Sequence, residues 1–269
     1  GVTGIAPPFE GLSAEFGGPA TADNPIDEPG QFVATSDVLP VADFPDFASE
    51  AVATYADPYA PVEGEWLALA GHVDDGYQRL ARTFDLTALA PGDAPRFEAQ
   101  IGFNIEASYD NVIVEVHTVG ADDWTTLPDA NGNTSTAVPA ECFAGFLLDE
   151  HPFLENYLTP GFPCTPTGDT GEWNALTGVS GGFLPVSFDL SAYAGSEIEL
   201  VVSYVTDPAF GGLGVVLDDT KLVTGVDTVS EAEGFETGLG AWSVIGAPDG
   251  SPGNFGDWER STGFPPIGA

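Results

Sequence analysis

The chain has 269 residues and is strongly acidic, with 42 Asp and Glu against 5 Lys and Arg and a formal net charge of -37. Hydrophobic residues make up 43% of it, which is enough for a folded core and excludes a disordered acidic tail. A field this negative repels polyanions, so nucleic acid and anionic membranes are excluded as partners. No apolar stretch of about 18 residues is present, so no membrane insertion is expected.

Two interpretations of the acidity stay open. Because nearly every carboxylate lacks a basic partner in the sequence, salt or bound cations are expected to stabilise the fold. Alternatively, the acids only solvate the surface of a protein from a saline habitat.

Residues 1–62 are rich in Pro, Gly, Ala and Asp and are predicted to be irregular, with short strands at 31–35 and 51–55. Further along, apolar residues alternate with small or polar ones, which predicts strands with one buried face. These strands span 66–70, 78–86, 97–105, 111–118, 124–127, 184–190, 198–204 and 213–217, the last ending before Asp218 and Asp219. Residues 149–158 are predicted to make one or two helical turns.

This pattern predicts an all-β fold: a two-sheet antiparallel jelly-roll β-sandwich with long irregular loops, over residues 1–224. For residues 225–269 there are two alternatives. Either they pack on the sandwich as an extra strand and loop, or they start a second, truncated module. The second alternative arises because Phe9-Glu10 and the residues after it are echoed by Phe235-Glu236 near the end.

Cys142 and Cys164 are the only cysteines, and several prolines mark the residues around them as an irregular loop. A disulfide closing this loop, 142–164, would stabilise the fold by roughly 3 kcal/mol. The pair favours an oxidising, extracellular location; the alternative is two buried free thiols.

No catalytic constellation is recognisable, so the chain is not predicted to be an enzyme. Its three histidines, His72, His117 and His151, lack the spacing of a zinc peptidase, and no zinc is expected. No Gly-x-Ser-x-Gly motif of serine hydrolases occurs. Paired acids for glycoside hydrolysis stay open, because so many carboxylates supply any spacing by chance.

Five stretches carry a resemblance to a known family: Phe9-Glu10, 109–116, 188–195, 204–207 and 216–219. Together they resemble the non-catalytic β-sandwich modules of secreted bacterial metallopeptidases of the immune inhibitor A type and of actinobacterial zinc carboxypeptidases. The resemblance covers most of residues 64–260, and the segment from Phe235-Glu236 to Trp258 is more distantly similar to the opening of a MAM-type domain. In this family the module follows a peptidase domain.

The resemblance implies a structural cation that joins the opening strand to the closing one, with Glu10 on the first and Asp218 or Asp219 on the second. Asp74, in a Gly-flanked turn, could complete the shell. Calcium is the expected ion because it accepts carboxylates and backbone carbonyls in irregular loops. The alternative is that Asp218 and Asp219 simply end a strand in solvent.

Three functions follow as hypotheses for a secreted, extracellular protein that is either free or associated with a cell surface. The first is a calcium-stabilised accessory module of a secreted metallopeptidase, aiding folding, surface attachment or substrate docking. The second is a carbohydrate- or surface-binding jelly roll, with Trp66, Trp124 and Trp173 as candidate binding aromatics. The third is a structural protein that assembles filaments by strand addition. The expected partners are accordingly an extracellular protein, a glycan surface or a second copy of the chain.

Overall fold

Two antiparallel sheets of five strands each make up the fold of a computed structural model, which describes residues 57–142, 146–225, 227–230 and 232–264. Sheet A has the order β10-β1-β8-β3-β6 and sheet B the order β5-β4-β7-β2-β9. The strands are β1 (Leu67–Ala70), β2 (Tyr77–Asp85), β3 (Arg96–Asn104), β4 (Asn111–Thr118), β5 (Thr125–Thr126), β6 (Leu184–Asp189), β7 (Glu197–Val205), β8 (Gly214–Val223), β9 (Ser243–Ile245) and β10 (Glu259–Ser261).

The core lies between the two sheets and is built from the alternating residues that predicted the strands. In β3 the inward side chains are Phe97, Ala99, Ile101 and Phe103, and in β7 they are Ile198, Leu200, Val202 and Tyr204. Successive side chains of a strand point to opposite faces, so each strand buries one set against the other sheet. The predicted all-β, two-sheet antiparallel sandwich is confirmed.

The outer face of sheet B is buried as well, because the long connection between β5 and β6 covers it. We call its described residues, 127–142 and 146–183, the insert. It contains α1 (Leu147–Glu150) and a 3-10 helix, Pro152–Asn156, where helical turns were predicted. Shorter 3-10 helices, Pro91–Asp93 and Ser191–Tyr193, lie elsewhere in the chain.

A second apolar cluster joins the insert to sheet B. Leu154, Tyr157 and Trp173 of the insert pack there with Ile113 and Val205 of the sheet. A disulfide between Cys142 and Cys164 closes the loop within this cluster. The insert therefore acts as a third layer, which accounts for the fully buried Val201 and Ser203 on the side of β7 that faces away from the main core.

The described part of the C-terminal segment supplies one short strand to each sheet. β9 pairs with β2, and β10 pairs with β1. Phe235, Trp242 and Trp258 are buried in the core between the sheets. The Trp242 indole N–H donates to Thr220 Oγ1 at 3.0 Å, so the segment is held by hydrogen bonds as well as by packing.

The end predicted for the last strand is wrong. β8 does not stop before the two aspartates but continues through them to Val223. Between Glu98 and Gln100 of the neighbouring β3 the register shifts, and Asp219 takes a left-handed φ of 46°. One extra residue of β8 is accommodated at this β-bulge, so the apolar alternation resumes beyond it at Leu222. The strands predicted at 31–35 and 51–55 lie outside the described residues.

Candidate functional site

Asp218 is fully buried, and backbone donors satisfy both of its carboxylate oxygens. Its Oδ2 accepts from the backbone N–H of Val62 at 2.7 Å and of Glu63 at 3.3 Å. Its Oδ1 accepts from the N–H of Asp219 at 2.8 Å. Burial raises the pKa of Asp218, and these N–H groups oppose the rise. The carboxylate therefore fastens the segment before β1 to the bulge of β8.

Asp219 faces the outer side of sheet A, where its Oδ2 accepts from Lys221 Nζ at 2.9 Å. Adjacent strand residues normally point to opposite faces, but a bulge removes that restriction. The two aspartates thus have separate partners in this structure: a backbone turn for Asp218 and a lysine for Asp219.

Glu236, which sequence reasoning missed as a site residue, reaches the same segment as Asp218. Its Oε1 accepts from the backbone N–H groups of Glu65 and Trp66, both at 3.0 Å. Glu10, the expected ligand, lies outside the described residues. The repeated Phe-Glu pair, Phe9-Glu10 and Phe235-Glu236, could have indicated Glu236. The second pair supplies a Glu that binds the segment before β1.

Asp74 lies at the other end of β1, in the turn that leads to β2. Its side chain is largely exposed and contacts His72 Nε2 at 3.1 Å. β1 separates this turn from the segment that Asp218 holds. Across the described ranges, no three His, Cys, Asp or Glu side chains form a group arranged to hold a metal ion.

Of the three candidate binding tryptophans, one is buried and the other two each have a neighbour on a ring face. Trp173 is fully buried, and its indole N–H donates to the carbonyl of Ala137 at 3.0 Å. The Arg260 guanidinium lies 3.5 Å from the ring centre of Trp66. The Trp124 ring stacks on His117, with centroids 3.9 Å apart. Trp66 and Trp124 therefore each have one ring face that a sugar could not stack on without displacing a neighbour.

The outer face of sheet A carries a polar groove of about 370 Å³ between β3, β6 and β8. Its basic residues are already paired: Arg96 with Glu98 at 2.6 Å and Lys221 with Asp219 at 2.9 Å. Its lining includes no aromatic side chain. The groove is large enough for a small ligand, but it offers neither a free positive charge nor a stacking surface.

Glu115 is a second buried carboxylate, and it joins the insert to sheet B. Hydroxyl groups of Tyr77 at 2.5 Å, Tyr157 at 3.0 Å and Ser203 at 2.6 Å donate to it. Arg79 Nε lies 3.5 Å from its Oε2. Burial and the Glu115 charge raise the pKa of Tyr77 and Tyr157 well above the usual value for tyrosine. Sequence reasoning missed this group, because a lone Glu within an apolar strand gives no sign of its partners.

The three histidines have different side-chain partners. His72 is near Asp74 and Asp110, His117 contacts Glu199 at 3.3 Å, and buried His151 contacts Ser251 Oγ at 3.1 Å. Burial lowers the pKa of His151.

Fold and contacts define the class: an acidic, two-sheet antiparallel β-sandwich with a disulfide-closed insert. No protein-family profile matches the chain. Over 176 residues, 65% of its length, it is 27% identical to Pre-pro-metalloprotease PrtV of Vibrio cholerae serotype O1, both in strain M66-2 and in strain ATCC 39315 / El Tor Inaba N16961. The match spans only 15% of these relatives. Among the described residues, no helix is long and apolar enough to cross a membrane.

Proposed function

We propose that this chain is a non-catalytic accessory module of a secreted metallopeptidase, with bound calcium among its stabilising contacts. The observation that carries the proposal is the similarity to a metalloprotease precursor, which extends over 65% of this chain but only 15% of the relative. A segment that forms such a small share of a peptidase precursor, and whose described residues have their own β-sandwich core, is suited to an appended domain rather than to the catalytic one.

The sheet edges favour a module over a filament that grows by strand addition. β5, β9 and β10 at the edges have only two or three residues each. The longer edge strand β6 is covered in part, because the N–H of Ala130 donates to the carbonyl of Ser187 at 2.8 Å. Short or covered edges offer little backbone for another chain to pair with.

The test uses the purified chain with labelled casein, in the presence of Zn²⁺ and Ca²⁺. We expect no cleavage above the rate of a heat-denatured control, and a monomer by light scattering. Cleavage that copurifies with the chain and is stopped by the zinc chelator 1,10-phenanthroline would overturn the non-catalytic assignment. Concentration-dependent filaments would favour the assembly function instead.

A further inference from the structure

One end of the sandwich collects the connections that cross between the sheets. In sheet B, Tyr77 at the start of β2 and Asn111 at the start of β4 both pair with Val205 at the end of β7. In sheet A, Ala70 and Asn104 lie at the ends of β1 and β3, beside the start of β8. The β1–β2, β3–β4 and β7–β8 connections therefore meet at the same end.

This end is rich in carboxylates, and we call it the acidic end. The β1–β2 connection brings Asp74 and Asp75, and the β7–β8 connection brings Asp207. The backbone N–H of Asp75 donates to the carbonyl of Asp207 at 3.0 Å, which ties the two connections together. Two histidines lie near these acids: His72 contacts Asp74 at 3.1 Å and lies 3.7 Å from Asp110, and His151 interacts electrostatically with Asp75. The remaining members are Glu106 and Asp110 of the β3–β4 connection and Glu141 and Glu150 of the insert.

Several carboxylate oxygens of the acidic end are buried without a hydrogen-bond donor. They are Asp75 Oδ1, Asp110 Oδ1, Glu141 Oε2 and Glu150 Oε2. In the described part of the chain, no other carboxylate oxygen is both buried and without a hydrogen-bond partner. Asp110 is fully buried. A buried acceptor left unpaired destabilises the folded state, and a charged acceptor does so more strongly. In contrast, backbone N–H groups satisfy both oxygens of Asp218.

Mutual repulsion adds to this cost. The Asp75 and Glu150 carboxyl groups interact electrostatically with each other, and both interact with Asp207. Burial, followed by the neighbouring acids, raises the pKa of Glu141 and Glu150. Burial also raises the pKa of Asp207, against the hydrogen bond from Ala209, and raises the pKa of Asp110 to about 6. A divalent cation would give the free oxygens a partner and would cancel the repulsion between the acids.

We propose that the acidic end binds a hard divalent cation, with calcium as the expected ion, through the carboxylates of Asp75, Asp207 and Glu150. In their present positions, no three acidic, His or Cys side chains of the acidic end form a metal-binding group. Backbone carbonyls and water must therefore supply the other oxygen ligands. Calcium accepts such mixed and irregular shells, whereas magnesium requires near-octahedral geometry. This site is separate from the one expected at Asp218, and the proposed non-catalytic role does not depend on it.

The experiment is calcium titration of the full chain by calorimetry, together with thermal melts, in 0.5 M NaCl so that general charge screening is already saturated. We expect calcium to raise the wild-type Tm by about 5 °C or more near saturation. Glu150→Gln should weaken calcium binding at least tenfold. The matched control is Asp149→Asn, which removes a charge from the adjacent exposed residue of α1 and should bind as the wild type does.

A second variant keeps the test decisive if Glu150→Gln folds poorly. Asp75 has a left-handed φ of 53°, which Asn tolerates well, so Asp75→Asn preserves the backbone while it weakens the site. The proposal is overturned if the wild type shows no calcium effect, or if Glu150→Gln and Asp75→Asn bind calcium as tightly as Asp149→Asn does. It is also overturned if Asp218→Asn alone abolishes binding. None of these outcomes changes the expectation that the chain lacks peptidase activity.

Discussion

At the scale of single residues, Glu115 and Asp110 show that the hydrogen-bond partners of a buried carboxylate decide whether it stabilises the fold. Glu115 receives three hydroxyl donors and has Arg79 beside it, so it acts as a structural link. Asp110 is equally buried, but only its Oδ2 receives donors, from the Tyr204 hydroxyl at 3.0 Å and the Glu106 N–H at 3.2 Å. A charge without full compensation shifts its protonation equilibrium instead of stabilising the fold.

The raised pKa of Asp110 predicts a pH-dependent stability in calcium-free buffer. Folding raises this pKa from 3.8 to about 6, because burial disfavours the charged carboxylate. The folded state therefore holds the proton more tightly than the unfolded chain does. The free energy of unfolding contributed by Asp110 is greatest below pH 3.8 and is lost as the pH rises through about 6, by up to about 3 kcal/mol.

Urea unfolding of wild type and Asp110→Asn at several pH values measures this contribution, since titrations common to both proteins cancel in the difference. The variant should gain stability relative to wild type as the pH rises from 4 to 7. Asp122→Asn, at an exposed position, should show no such trend. A constant difference between Asp110→Asn and wild type would show that Asp110 does not titrate in this range.

At the scale of elements, the C-terminal segment contributes more through its aromatic side chains than through its strands. β9 and β10 have three residues each, too few for stable pairing by themselves. Trp242, by contrast, packs edge-on against Phe97 and Phe84, with ring centres 5.7 and 6.4 Å apart. These contacts anchor the segment in the core that the two sheets share.

Replacing Trp242 should therefore destabilise the whole sandwich and not only a terminal strand. We expect Trp242→Ala to lower the free energy of unfolding by about 3–5 kcal/mol, as for other large-to-small core changes. Phe255→Ala is the matched control, an aromatic residue of the same segment that is 99% exposed, and it should change stability by less than about 0.5 kcal/mol. If chemical denaturation shows that Trp242→Ala and Phe255→Ala both change the free energy of unfolding by a similarly small amount, the C-terminal segment does not unfold cooperatively with the two sheets.

At the scale of the whole molecule, the net charge of -37 is an energetic burden that the fold must overcome. Ion pairs relieve little of it, because the described residues offer only a few, such as Arg96 with Glu98 and Lys221 with Asp219. Compact packing brings like charges closer than they are in the unfolded chain, so repulsion lowers the stability of the folded state.

Screening should relieve this repulsion. Because the Debye length falls from about 30 Å in 0.01 M salt to about 3 Å in 1 M salt, we expect the Tm to rise steadily with NaCl concentration in the presence of EDTA. Circular dichroism melts measure the effect, with a neutral osmolyte at matched osmolarity as the control for solvent exclusion. A Tm that is flat or falls with NaCl would show that the acids are too widely spaced to repel one another in the folded state.

Most of the β-sandwich could be predicted from the sequence, because strand alternation is a local pattern. Phe97 to Phe103 and Ile198 to Tyr204 indicate their buried faces without knowledge of any partner. The cysteines likewise predicted their own pairing, since they are the only two in the chain. Neither the extension of β8 past Asp218 nor its bulge could be predicted, because both depend on the register with β3.

By itself, the sequence determined the fold class, the disulfide and the excess of acid, because each follows from composition or from neighbours along the chain. Only the tertiary structure decided which acids act together. It gave Asp218 backbone donors, bound Glu236 to the same segment before β1, and brought Asp75, Glu150 and Asp207 to one end of the sandwich. Burial and electrostatic coupling depend on distances between residues far apart in the chain, and those distances exist only once the two sheets and the insert have packed.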